Sequence, residues 1–329
     1  MRNIEPRHHR QNLLDVIPLP APFSIFIDPS ALCNAKCVFC PTNNSDYLRE
    51  QRLQSMPFER FQKITEQLLT FKEQIKVICL YGFGEPLLNK NLPKMAKLLK
   101  ENNLCREIRL VSNGILLNPR INKQLIESGI DLIRISLNGL NETDYKNICG
   151  VTINYGNFVD NIKNLFEQSR NSKTKISIKI ATEILKNEKD KTFVTETFAS
   201  ICDFLLIEDI EEMWPGYNIL LQNKKIGDRK FTIENNNKNE TGKVCAYPLT
   251  HLVVFSNGNV GVCCLDWKQN VNLGNVEQET LLNIWNGEKM RNFRIETLKS
   301  KDRPLPCFGC KVRSPDNIDD VADELVRKL

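Results

Sequence analysis

The sequence of 329 residues contains no apolar run approaching the ~20 residues that span a bilayer. Its first eleven residues are polar and lack the apolar core of a signal peptide. The net charge is +5, with 45 basic and 40 acidic residues well mixed, whereas nucleic-acid binders usually carry a stronger and more clustered excess. These absences argue against a membrane protein, a secreted protein and a nucleic-acid binder. We therefore expect a cytoplasmic protein.

Cysteine, by contrast, is abundant, with 12 residues in the chain. In a cytosol that keeps thiols reduced, metal binding explains such a number better than disulfides do. Cys33, Cys37 and Cys40 form a C-x3-C-x2-C run directly after an apolar segment. Tetrahedral metals and cubane iron–sulfur clusters normally take four protein ligands. Three cysteines would leave one iron open to a small molecule; a zinc site is the alternative, but no fourth ligand lies nearby in the sequence.

Six apolar segments alternate with stretches of helical periodicity, which is typical of a parallel α/β sheet. Glycine, serine, asparagine or glutamate residues follow several of these segments. In parallel α/β folds, functional sites lie at that carboxyl edge. The predicted strands cover residues 23–28, 77–81, 108–111, 132–137, 175–180 and 204–207.

The pattern changes after Pro215. We predict an N-terminal extension at 1–22, a core domain at 23–215, a polar linker or insert at 216–242 and a second domain at 243–329. The last part is predicted to contain a hairpin at 251–263 and a helix at 281–295, followed by a helical tail.

The cysteine triplet, the turn Gly82-Phe83-Gly84-Glu85-Pro86 and the strand–helix alternation together resemble a radical S-adenosylmethionine (SAM) enzyme. The resemblance covers about residues 23–215. It implies a partial (β/α)6 TIM-like barrel and a [4Fe–4S] cluster whose fourth iron is chelated by SAM. It further implies reductive cleavage of SAM to a 5′-deoxyadenosyl radical, which abstracts hydrogen from a substrate carbon.

The same resemblance suggests roles for residues outside the triplet. Phe39 matches the position that lies along the adenine, and Phe83-Gly84-Glu85 matches the Gly-Gly-Glu motif that receives the methionine ammonium. Phe83 departs from the first glycine of that motif. Ser136 and Asn138 match the region that contacts the ribose or carboxylate of SAM. Two weaker candidates for the same cradle are Asn113 and Lys179. Taken alone, the turn at residues 82–86 is also explained as an ordinary strand-to-helix connection.

The C-terminal cysteines resemble those of the SPASM or twitch extension of this superfamily, which carries auxiliary iron–sulfur clusters. Full versions hold two clusters and need more cysteines than this region has. We therefore predict a small α+β domain with one auxiliary [4Fe–4S] cluster, held by Cys245, Cys263, Cys307 and Cys310. A structural zinc bound by the same four thiols is the alternative.

Cys264 is then left over beside a predicted ligand, and Asp266 follows two positions later. In epimerising relatives a thiol of the C-terminal part gives a hydrogen atom to the substrate radical, whereas in sulfatase-maturing relatives an acidic residue of this region is a base. Our hypothesis is that Cys264 quenches a substrate carbon radical. The alternatives are a small buried packing residue or a substitute cluster ligand.

Only 22 residues precede the first predicted strand, which is too short for the peptide-recognition domain of many peptide-modifying relatives. We therefore expect a small polar substrate, such as a sugar, an aminocyclitol or a nucleotide-linked sugar, that is epimerised or oxidised at an alcohol carbon. Maturation of a ribosomal peptide or protein side chain is the alternative, and a non-catalytic iron–sulfur or zinc protein is a different class. The family expectation for the electron donor is a flavodoxin or ferredoxin.

Overall fold

The computed structural model describes residues 12–43, 54–209, 214, 225–226, 229–230, 244–299, 307, 310 and 318–329. Its centre is a nine-stranded sheet. The strands are β1 Ser24–Ile27, β2 Ile75–Cys79, β3 Cys105–Ser112, β4 Leu132–Leu137, β5 Lys175–Ala181, β6 Phe204–Glu208, β9 His251–Val254, β10 Asn259–Gly261 and β11 Gly274–Asn275. Their order in the sheet is β11-β10-β9-β1-β2-β3-β4-β5-β6. A separate two-stranded ribbon pairs β7 Lys225–Ile226 with β8 Arg229–Lys230.

Neighbouring strands from β1 to β6 are all parallel, and helices connect them. Four consecutive helices begin after an asparagine whose side chain accepts a backbone N–H of the first turn, which is a favourable N-cap. The helices are Leu13–Val16, Phe58–Leu68, Leu92–Glu101, Pro119–Glu127, Glu142–Cys149, Tyr155–Ser169, Glu188–Phe198, Tyr247–Thr250, Leu281–Asn286, Glu288–Lys299 and Ala322–Lys328.

The two faces of the parallel strands differ because side chains alternate along a strand. One face is apolar and fully buried, and its residues include Ile108, Ile133 and Ile178. The opposite face carries polar side chains, among them Arg109 and Ser136. The hydrophobic core therefore packs against the apolar face, and the polar side chains of these strands lie on the opposite face.

This architecture confirms the predicted partial (β/α)6 barrel. Sequence periodicity did not predict the helix Glu142–Cys149. The predicted helix at 281–295 is two helices, because the backbone of Gly287 is extended (φ −73°, ψ 162°).

The C-terminal hairpin continues the central sheet rather than forming a sheet of its own. Strand β9 pairs in parallel with β1, and β10 pairs antiparallel with β9. The side chain of Gln67 donates to the Val276 carbonyl at 2.9 Å and accepts from the Leu281 N–H at 3.0 Å. The predicted domain boundaries stay a prediction, while the sheet itself runs across both parts. In the described part of the chain, no helix is both long and apolar enough to cross a membrane.

Candidate cluster and substrate site

The loop that contains the cysteine triplet (the three-cysteine loop, residues 33–40) follows β1 at the carboxyl edge of the sheet. Its second half is held by the end of the helix Glu142–Cys149. The backbone N–H groups of Lys36 and Val38 donate to the carbonyls of Cys149 and Ile148 at 2.7 and 2.9 Å. These carbonyls have no partner within their helix, so the loop caps the helix end while the helix fixes the loop.

The three thiols lie within electrostatic reach of one another. Partial burial, reinforced by the charges of Glu85, Cys37 and Cys40, raises the pKa of Cys33 to about 12. The Ala35 N–H lies 3.4 Å from Cys33 Sγ. A bound metal is what stabilises the thiolate form of such groups, so iron binding here releases protons. The donor set therefore fits an iron–sulfur cluster.

The turn at residues 82–86 lies directly against the chain that leads into this loop. A Cβ atom on Gly84 would lie 2.7 Å from the Ala31 carbonyl carbon, and closer still to the carbonyl oxygens of Ser30 and Leu32. The Glu85 N–H donates to the same Leu32 carbonyl at 2.7 Å. The close approach of two backbone segments thus requires glycine at position 84.

The buried Glu85 carboxylate joins the ends of β2 and β3. It accepts hydrogen bonds from Ser112 Oγ at 2.8 Å, the Asn113 N–H at 2.8 Å and the Leu87 N–H at 3.0 Å. Burial raises the pKa of Glu85, and these three donors oppose that rise. Asn113 Nδ2 in turn donates to Asn34 Oδ1 at 2.8 Å, which extends the network to the three-cysteine loop. The predicted role of Glu85 toward the methionine ammonium stays a prediction.

The other predicted SAM contacts lie at or near the same edge of the sheet. Ser136 is the register partner of Lys179, whose ammonium lies 2.7 Å from a Glu208 carboxylate oxygen. Asn138 follows the last residue of β4, and the half-buried Phe39 packs against the core. Their contacts with SAM remain predictions.

The predicted auxiliary ligands are distributed over three described segments. Cys245 lies just before the helix Tyr247–Thr250, Cys263 follows β10, and the N–H of Cys310 donates to the Cys307 carbonyl at 3.0 Å. All four thiols are half-buried. Among the residues described, no three His, Cys, Asp or Glu side chains are gathered closely enough to hold a single metal ion. The binding of one cluster by these four thiols stays a prediction.

Cys264 is half-buried, and its interaction with the adjacent Cys263 thiol, together with burial, raises the pKa of Cys263 well above its usual value. Burial, together with the charges of Cys79 and Cys264, raises the pKa of Tyr81 well above its usual value. Tyr81 follows β2 and directly precedes the turn at residues 82–86. Cys264 is therefore within electrostatic reach of the edge of the sheet where the three-cysteine loop lies.

Asp266 is buried and its carboxylate is already engaged. It accepts the N–H groups of Asn270 at 3.0 Å and Val271 at 2.9 Å. Burial raises the pKa of Asp266, and these hydrogen bonds oppose the rise. Its contacts hold the loop that follows Cys264.

Sequence reasoning missed the residues that support the cluster loop. Asn34 and Ser112 belong to the Glu85 network, and Thr42 Oγ1 lies 3.0 Å from Cys40 Sγ. Cys149 is buried, and its interaction with Cys37, together with burial, raises the pKa of the Cys37 thiol well above its usual value. The position of Asn34 inside the motif and of Ser112 beside Asn113 was the available signal, but spacing alone does not show which side chains meet.

Comparison with known families agrees with this geometry. Residues 27–181 match the model of the radical SAM superfamily. Residues 245–311 match the model of the SPASM iron–sulfur cluster-binding domain. The first match contains the three-cysteine loop and the turn at 82–86, and the second contains all four predicted auxiliary ligands.

The curated relatives that the chain resembles include a probable GTP 3′,8-cyclase of Methanococcus maripaludis, 33% identical over 126 residues. That match covers 38% of this chain and 39% of the relative, so the chain spans about two fifths of the relative's length. An Fe-coproporphyrin III synthase of Methanosarcina barkeri is 31% identical over 114 residues, covering 35% of this chain and 27% of that protein.

Solved structures resemble the chain over most of its length. BtrN in complex with AdoMet and 2-DOIA aligns with a TM-score of 0.55 at 19% identity, covering 91% of this chain and 98% of BtrN. Streptococcus suis SuiB bound to S-adenosylmethionine aligns with a TM-score of 0.61 at 18% identity, covering 94% of this chain and 76% of SuiB. A similar alignment is found with anSMEcpe with bound AdoMet, where the TM-score is 0.60 at 19% identity and the match covers 93% of this chain and 92% of anSMEcpe. At such identities these structures show the shared fold.

Proposed function

The chain belongs to the radical SAM superfamily and carries a C-terminal SPASM domain, and from this premise we propose that it inverts or oxidises a carbon of a small polar substrate. The substrate class is a sugar, an aminocyclitol or a nucleotide-linked sugar. Inversion is the reaction that the described residues support best.

The cofactors follow from the family. Radical SAM and SPASM domains bind SAM, a [4Fe–4S] cluster that holds it, and auxiliary iron–sulfur clusters. The thiols of Cys33, Cys37 and Cys40 would hold the first, and Cys245, Cys263, Cys307 and Cys310 an auxiliary one. When bound, these groups supply a 5′-deoxyadenosyl radical that takes one hydrogen atom from the substrate.

The neighbourhood of Cys264 is the observation that carries the proposal. Cys264 interacts with the adjacent thiol of Cys263 and lies within electrostatic reach of Tyr81, next to the turn at residues 82–86. Tyr81 follows β2 at the carboxyl edge of the sheet, the edge that also holds the three-cysteine loop. The engagement of Asp266 with its own loop favours Cys264 over Asp266 as the group that acts on the substrate.

The chemical step at Cys264 is a hydrogen-atom transfer. The S–H bond breaks and a C–H bond forms on the face opposite to that from which hydrogen was removed, leaving a thiyl radical on Cys264. One electron from a flavodoxin or ferredoxin and one proton from water restore the thiol. The transfer is favourable because an S–H bond is weak compared with a C–H bond.

The polar face of the sheet supports a polar substrate. The guanidinium of Arg109 makes two hydrogen bonds to the Glu107 carboxylate, at 2.6 and 3.1 Å, and is half-buried. Further along the same face, Lys179 is paired with Glu208 beside Ser136. Charged and hydroxyl groups on one face of the sheet suit hydroxyl- and amino-bearing ligands better than apolar ones.

The test compares wild type with Cys264→Ser and Cys264→Ala after anaerobic reconstitution with iron and sulfide. With a chemical reductant and SAM, all three should form 5′-deoxyadenosine. With candidate sugars or aminocyclitols in deuterated water, wild type should place deuterium on the inverted carbon. Both variants should lose inversion, because neither carries a thiol and a serine O–H bond is too strong to donate the hydrogen atom.

Three outcomes would overturn parts of the proposal. Absence of 5′-deoxyadenosine from reduced, reconstituted wild type would remove the catalytic assignment. Unchanged inversion by Cys264→Ser would remove the role of Cys264, and an oxidised product without deuterium would replace inversion by dehydrogenation.

A further inference from the structure

Among the described residues, backbone hydrogen bonds anchor the chain before and after residues 33–35, the first part of the three-cysteine loop, but do not tie these three residues to the rest of the protein. Before the loop, the Leu32 carbonyl accepts the Glu85 N–H at 2.7 Å. From Lys36 onward, the loop is bonded to the end of the helix Glu142–Cys149. Residues 33–35, which include the first cluster ligand, lie between these anchors. In the described part of the chain, the hydrogen bond that ties this segment to the sheet is the one from Asn113 Nδ2 to Asn34 Oδ1, at 2.8 Å.

The direction of this bond is fixed from the Asn113 side. Asn113 Oδ1 accepts the Ile115 N–H at 3.0 Å, so the carboxamide oxygen faces away from the loop and its NH2 group faces Asn34. The backbone N–H of Asn113 donates to Glu85 Oε2 at 2.8 Å. A rigid strand end and a buried carboxylate thus hold the donor in one orientation.

We propose that Asn113 is a positioning residue that holds Cys33 in place for cluster binding through its bond to Asn34. The bond connects the end of β3 to the residue that follows Cys33, across 79 positions of sequence. Outer hydrogen bonds of this kind orient metal ligands, and their removal typically weakens metal binding. The inference rests on the cluster assignment of the proposed function, and neither the substrate nor the role of Cys264 enters it.

The same bond joins the cluster loop to the turn at residues 82–86. Glu85 contacts both Leu32 and Asn113, and Asn113 contacts Asn34. Displacement of the Cys33 segment therefore changes the cluster without disturbing the apolar core, which lies on the other face of the sheet. The expected signature is faster loss of iron with little change in the stability of the metal-free chain.

The test measures the rate at which the reconstituted protein loses iron to an excess of chelator, without substrate. Asn34→Leu removes the acceptor and should lose iron about two- to tenfold faster than wild type, the range expected for one hydrogen bond. Asn34→Asp keeps an acceptor for Asn113 and should lose iron more slowly than Asn34→Leu. Asn102→Leu, at an exposed helix end outside the site, is the matched control and should match wild type.

The order of the variants separates this role from its alternatives. A simple effect of charge beside Cys33 would make Asn34→Asp lose iron faster than Asn34→Leu, and that order would overturn the proposal. Wild-type iron retention by Asn34→Leu would also overturn it, as would a fall in the melting temperature of metal-free Asn34→Leu that accounts for its loss of iron. Failure to find inversion of any substrate would leave these rates unchanged, so the two proposals fail separately.

Discussion

Replacement of Gly84 by alanine tests the close approach on which the site depends. The added Cβ would lie 2.7 Å from the Ala31 carbonyl carbon and closer to the carbonyl oxygens of Ser30 and Leu32. All three neighbours are backbone atoms, so no side-chain rotation can relieve the overlap. The turn and the chain that enters the three-cysteine loop must separate.

The magnitude follows from two costs. Overpacking against atoms that cannot move costs about 1–3 kcal/mol. Separation also breaks the hydrogen bond from the Glu85 N–H to the Leu32 carbonyl, which costs about 1 kcal/mol. We expect Gly84→Ala to lower the free energy of unfolding by about 2–4 kcal/mol. Iron content after reconstitution should fall as well, because the same chain segment leads into the loop.

The assay is urea unfolding of the metal-free protein followed by circular dichroism, with iron content measured separately on reconstituted samples. Gly156→Ala is the matched control. Gly156 lies in the helix Tyr155–Ser169, where a Cβ would meet only Asn154 Oδ1, at 3.4 Å. That change should be neutral or stabilise the protein by up to about 1 kcal/mol. If Gly84→Ala and Gly156→Ala gave the same stability and the same iron content, the argument from close approach would be refuted.

Three further outcomes are expected. Glu85→Gln replaces a carboxylate that accepts three hydrogen bonds by a group with one acceptor oxygen, and should cost about 1–3 kcal/mol in thermal unfolding and reduce iron content. Burial raises the pKa of Asp28 to about 7 from 3.8, so the folded protein keeps a proton that the unfolded chain releases, and stability falls as pH rises from about 4 to 7. Asp28→Asn should therefore reduce this fall in stability, measured as the difference in melting temperature between variant and wild type at each pH. Burial also lowers the pKa of His251 to about 4, which makes stability rise with pH over the same range. Both proteins contain His251, so its contribution cancels in the comparison. Gln67→Leu leaves two buried backbone groups without their partner and should cost about 2–4 kcal/mol, whereas Gln124→Leu on an exposed helix position should change stability by less than about 0.5 kcal/mol.

Periodicity and spacing predicted most of the barrel because those signals are local. The strand at 132–137 was predicted with the bounds that the structure has. Hydrophobic alternation reports which face of a strand is buried without knowledge of its neighbours. The helix Glu142–Cys149 was missed because its apolar pattern is short, and Gly287 ended a helix that periodicity alone would have continued.

The sequence by itself indicated the superfamily, since three thiols on one loop and a glycine–glutamate turn are recognisable from spacing. Only the tertiary structure decided what surrounds them. Asn113 and Asn34 meet across 79 positions, and Glu85 joins two strand ends, because parallel strands bring their carboxyl ends to one edge of the sheet. Cys264 comes within electrostatic reach of Tyr81 for the same kind of reason: β9, in the hairpin that precedes Cys264, pairs with β1 of the central sheet. Such contacts depend on register and strand order, which are properties of the folded chain and are not encoded in any local pattern.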